Sequence, residues 1–189
     1  MIDTILRREG MRFASAALAA TVMALALVGT MSRPAGAASL DSSEADLVSQ
    51  VNAFRAARGL PTLTVSDTIT NAAKWMATDM SVNDYFAHTS LDGRTPTQRM
   101  ADAGYPAYTT WTGEDLAAGY TSAAEVMQGW INSPAHYAVL TNPAYRAIGV
   151  GRSYSAGSTY QWYWAANFGG VVDAASSAAV ASFDSGFHS

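Results

Sequence analysis

His88, in YFAHTSLDGRTP, and His136, in WINSPAHY, are the imidazoles through which this chain could do chemistry near neutral pH. The third histidine, His188, lies in an Ala/Ser-rich end. Glu114, in TGEDLAAG, adds a carboxylate in a segment bounded by glycines, which reads as a loop. Histidine and carboxylate side chains brought together can hold a divalent cation or move a proton between pH 5 and 8. The spacing of the three matches no local ligand pattern such as H-E-x-x-H. A lone His or Glu in a folded domain is more often a satisfied hydrogen-bonding residue than a ligand. There is no cysteine, so thiolate chemistry and disulfides are excluded.

Helices must position these groups. Leu47, Val51 and Phe54 share a face of a helix expected from 43 to 58, capped within 41 to 43 and ended by Gly59. After Ser66, the spacing of Ile69, Ala72, Ala73, Met76 and Met80 predicts a second helix on the same core. Thr95-Pro96 opens a short helix that Gly104 closes at Ala103. Ser122 and Glu125 form a capping box, which accounts for Glu125 without a functional role, and the helix behind it should bury Trp130 with Val126 and Met127. Ser133-Pro134 reads as the cap of a further helix that carries His136 and Leu140, so Ser133 is assigned to capping although it stands three residues before the histidine.

From Ala147 the period changes to two. Two antiparallel strands joined near 155 to 158 follow, the second rich in Tyr and Trp. Helices first and strands last imply an α+β fold.

The net charge of −4, without a basic stripe, argues against nucleic acid and against charge-driven binding to an anionic membrane. The beginning of the chain reads as a signal peptide over residues 1–37: Arg7, Arg8 and Arg12, then an apolar run, then an A-x-A site with cleavage after Ala37 or Ala38. A membrane anchor is the alternative, but the run falls short of the roughly 20 residues of a span. Met11 is an alternative start, and Arg7-Arg8 leaves the export route open. The expected organisation is therefore a signal peptide, one domain over 40–170, and a flexible Ala/Ser-rich tail over 171–189. The product would be secreted or periplasmic, with no stable membrane insertion after cleavage.

VNAFRAARGLPTL, DYFAHTSLDGRTPTQRMADAGY, GEDLAAGYTSAAEVMQGWINSPAHYAVLTNPAYRAIGVG and QWYWAANFGG resemble, in that order, the bacterial branch of the CAP family. These are the cysteine-rich secretory, antigen 5 and pathogenesis-related 1 proteins, also described as SCP-like. The resemblance implies a three-layer α-β-α sandwich with a central antiparallel sheet, export, and a cleft with two histidines and two acidic residues that binds divalent cations in some members. His88 matches the histidine of the H-x-S segment, Glu114 the glutamate of G-E-N, and His136 the histidine of S-P-G-H.

Departures stand out, beginning with the absence of the disulfides common in eukaryotic members. The strand that supplies the second histidine elsewhere, G-H-Y-T-Q, looks here like Tyr163, Trp164, Ala165, Ala166, Asn167 and Phe168. Asp115 takes the place of the usual asparagine, which would either favour a cation or raise the pKa of Glu114 by like-charge repulsion. The resemblance thus proposes His88, Glu114 and His136 as ligands of a cation such as zinc. Three functions remain open: a secreted binding module for a cation, small ligand or extracellular partner; a metal-assisted hydrolase acting on cell-wall or protein substrates; and a structural protein whose His and Glu residues lock loops.

Overall fold

The computed structural model describes residues 39–173. The expected signal peptide lies outside the described residues, as does the tail beyond Asp173. The first helix, α1, covers Ser42–Ala56 and starts at Asp41, whose carboxylate accepts from the N–H groups of Ser43 and Glu44 while Glu44 accepts from Asp41 N–H. The short strand β1, Thr64–Val65, leads to helix α2, Asp67–Asn83, capped by Ser66. Helix α3, Pro96–Asp102, has Thr95 and Gln98 as its capping box. Strand β2, Thr112–Ala118, follows, then α4, Ala123–Ile131, α5, Pro134–Leu140, and the strands β3, Ala147–Tyr154, and β4, Trp162–Gly169.

The fold is α+β, with a four-stranded sheet in the order β1-β3-β4-β2. The expected antiparallel sheet is found in β3-β4 and β4-β2, and is corrected at one edge, where β1 pairs parallel with β3 and makes the sheet mixed. A two-residue strand carries too little pattern to be read in advance. Glu114 is likewise on a strand and not in a loop. Every residue from 112 to 118 has a partner on β4, and four of them are buried.

The two long helices do not share one core. Leu47 and Val51 of α1 cluster with Trp130, Trp164, Ala166 and Phe168, whereas Ala73, Met76 and Met80 of α2 cluster with Leu116, Tyr163 and Ala165. Successive residues of a strand point to opposite faces, so α1 and α4 lie on one face and α2 on the other. Trp130 is 1% exposed, and its indole N–H donates to the carbonyl of Leu116 at 2.9 Å.

Gly149 and Gly151 allow α2 to lie directly on the sheet. A methyl group at Gly149 would run into the backbone of Ile69 and Thr70, and one at Gly151 into that of Ala73 and Lys74. The structured chain also extends past residue 170: Val171 N–H donates to Tyr105 Oη, and Asp173 accepts from Ser66 and Thr68.

Gly149→Ala is expected to destabilise the domain by at least about 1 to 3 kcal/mol, the usual range for overpacking a close contact. Gly157→Ala, where a methyl meets open space, should change stability by less than about 0.5 kcal/mol. Urea unfolding of the two variants checks the pair, and equal effects would put α2 farther from the sheet than described.

Candidate functional cleft

Glu114 is the centre of a buried chain of contacts. Its Oε2 accepts from Arg99 Nη2 at 2.7 Å and its Oε1 accepts from His88 Nδ1–H at 2.9 Å. The Arg99 and Glu114 side chains are each 1% exposed. Arg99 Nη1 also donates to the carbonyls of His88 and Arg94, at 2.9 and 2.8 Å. The same guanidinium thus holds the carboxylate and the backbone of the histidine that the carboxylate orients. A carboxylate can only accept, so His88 presents a protonated Nδ1 to Glu114 and leaves Nε2 for a ligand. The His88 ring is itself 55% exposed.

His136 comes from α5. Its ring meets the edge of Trp130 at 6.4 Å between centroids. Burial, and then the charge of nearby His88, hold its pKa below the ordinary histidine value, so it is mostly neutral at neutral pH. The two histidines are therefore close enough to interact electrostatically. Glu114 reaches His88 directly, but among the described residues no three His, Asp or Glu side chains stand in an arrangement that could hold a metal ion. Both Glu114 oxygens are engaged, which suits it to orienting a histidine rather than to direct coordination.

His136 lines a cleft of about 340 Å³ with Trp130, Ser133, Leu116, Ala117 and Ala118, walled by the rings of Phe86, Tyr120 and Tyr160. Gly129 makes room for Tyr120, since a methyl there would come within 2.9 Å of the tyrosine hydroxyl. Trp164 Nε1–H fixes the carbonyl of Tyr120 at 2.8 Å. Ser133 occupies the cap position of α5, but its hydroxyl makes no capping bond. That corrects the capping assignment and leaves the hydroxyl at the cleft wall.

Arg99 and the aromatic walls had no sequence signal of their own. Arg99 sits in the polar-looking helix PTQRMAD, and the rings come from separate segments. Asp115 also departs from expectation. It faces the core on the side opposite Glu114, fully buried, and neither carboxylate oxygen has a hydrogen-bond partner. Burial, and then the neighbouring charge of Glu114, push its own carboxyl up to about 8.

Residues 48–168 match the CAP: Cysteine-rich secretory protein family, and the chain belongs to that family. An uncharacterized protein of Bacillus subtilis, YkwD, is 34% identical over 113 residues, which are 60% of this chain and 43% of that protein. The chain thus spans less than half the length of this curated relative. An outer surface protein of Borrelia burgdorferi has a similar structure, with a TM-score of 0.60, 30% identity, and coverage of 69% of this chain and 95% of the other. An extracellular SCP-domain protein of Bacillus anthracis gives 0.59 and 26%, with coverage of 67% and 39%.

A carboxyl that titrates near 8 when folded, against an ordinary 3.8, keeps its proton in the folded chain while the unfolded chain ionises. Its contribution to stability is complete below about pH 4 and is lost as pH rises toward 8. Asp115→Asn removes this dependence. Between pH 5 and 7, the stability of the variant relative to the native chain should rise by about 1 kcal/mol per pH unit. Parallel curves in urea midpoints would show that Asp115 is ionised in the folded protein.

Proposed function

We propose that this is a secreted or periplasmic CAP-domain binding module whose ligand meets His88 and His136 at the aromatic cleft. Together with its relatives, the fold is read as the family's three-layer α-β-α sandwich. The observation that carries the functional reading is the buried Arg99–Glu114–His88 chain. Two buried charges and the carbonyls of His88 and Arg94 are committed to fixing one exposed imidazole, a larger investment of buried polar groups than locking a surface loop requires. The extracellular and outer-surface character of the similar structures supports the location.

A divalent cation such as zinc fits this reading as a ligand of two imidazoles, His88 through Nε2 and His136. Glu114 then acts behind His88, fixing its tautomer and ring orientation without touching the ion. The cation would supply a positive centre for an electron-rich atom of the partner.

The hydrolase reading draws on Ser133, whose free hydroxyl shares the cleft with a mostly neutral His136. It is second because, among the described residues, no carboxylate orients His136. A nucleophile's base normally has such a third group.

Zinc titration of the full chain, followed by calorimetry and by histidine NMR, tests the proposal. Binding is expected to be lost or weakened at least tenfold in both His88→Ala and His136→Ala, since each removes one of two ligands. Binding unchanged in both variants would place the ion elsewhere, and absence of binding to the native chain would remove the cation from the reading.

A further inference from the structure

Strand β2 ends the sheet, and its outer edge forms the floor of the cleft. Gly119 N–H donates to Trp162 O, and Ala117, Asp115 and Gly113 stand opposite Trp164, Ala166 and Phe168. In an antiparallel ladder, hydrogen-bonded and non-bonded pairs alternate. The odd-numbered residues therefore bond to β4, and the backbone groups of Glu114, Leu116 and Ala118 point to the open edge. The carbonyl of Leu116 is taken by Trp130. Among the described residues no hydrogen bond meets the N–H or C=O of Ala118, and both residues line the cleft.

Resting on the cleft reading above, we infer that the ligand is a short, uncharged, extended peptide segment that pairs with Ala118 by strand addition. One peptide residue opposite Ala118 would exchange two backbone hydrogen bonds with it, as adjacent antiparallel strands do. Side chains of an extended segment alternate in direction. One would therefore lie against Phe86 and Tyr160, whose rings are 46% and 47% exposed with centroids 6.1 Å apart. The Ser133 hydroxyl and the His136 imidazole offer polar contacts on the opposite wall.

Charge selects the same occupant. The lining holds no carboxylate, lysine or arginine, so a charged side chain lying against Phe86 and Tyr160 would lose its hydration without a partner. A second folded copy does not fit. Leu116 is 2% exposed and the edge is recessed between α5 and the aromatic rings, so the strand of another globular domain could not reach it.

The test is a titration of ¹⁵N-labelled full chain with acetylated, amidated pentapeptides of Ala, Val and Phe. A parallel set carries an N-methyl group at the central residue. Saturable shifts are expected at the amides of Ala118 and Leu116, with affinity about tenfold lower for the methylated set, which lacks one donor. Ala118→Pro removes only an outward N–H, as proline on an edge strand permits, and should weaken the unmethylated set by a similar factor. Equal binding of the two sets, shifts confined to other segments, or no shift at millimolar peptide would overturn strand addition. A zinc response retained without a peptide response removes this inference alone, whereas loss of both removes the cleft reading as well.

Discussion

The buried pair of Arg99 and Glu114 is the constraint from which the site follows. Two charges withdrawn from water at 1% exposure hold only if each finds further partners, because desolvation rivals their mutual attraction. Arg99 finds them in the carbonyls of His88 and Arg94, and Glu114 in the ring of His88. The pair thereby ties α3 to β2 and closes the His88–Arg94 loop over both. Removing either partner would leave an uncompensated buried charge, a loss of about 3 to 5 kcal/mol. Arg94, half-buried, continues the chain outward through Asp92 and Asp102, where solvent screens both pairs and leaves them little weight.

The sheet supplies the second requirement, a wall open on one side. Glycines at 149 and 151 bring α2 onto one face, and Trp130 seals part of the outer edge of β2 from the other side. What remains uncovered is the stretch around Ala118, with His136 beside it. Asp115, next in chain to Glu114 but pointing to the opposite face, shows the cost of placing two carboxylates in succession on a buried strand. Glu114 has a guanidinium and stays useful, while Asp115 has no partner and is driven toward its neutral form.

Much of this architecture was legible because short-range chemistry determines it. The caps at Asp41, Ser66, Thr95 and Ser122 are side-chain acceptors next to helical periodicity, and each opens a helix as expected. The β3-β4 hairpin announced itself by alternation. Illegible features depend on partners distant in sequence. Strand β2 looked like a loop because Gly113 and Gly119 flank a short acidic segment, and only pairing with β4 explains its extended form. Arg99 drew no reading from the sequence, since nothing local says that a carboxylate waits fifteen residues later. Ser133 looked like a cap from its position before proline, yet its hydroxyl is not used that way. His88 and Glu114 were picked out by residue type and matched by resemblance, not by spacing, and the structure shows them in direct contact.

The tautomer of His88, read from its ¹⁵N chemical shifts in the neutral state, tests the central claim most directly. The account predicts protonation at Nδ1 with a bare Nε2, and loss of that preference when Glu114→Gln replaces the acceptor pair with an amide. A neutral His88 protonated at Nε2 in the native chain would contradict it, because the imidazole would then be held by something other than Glu114.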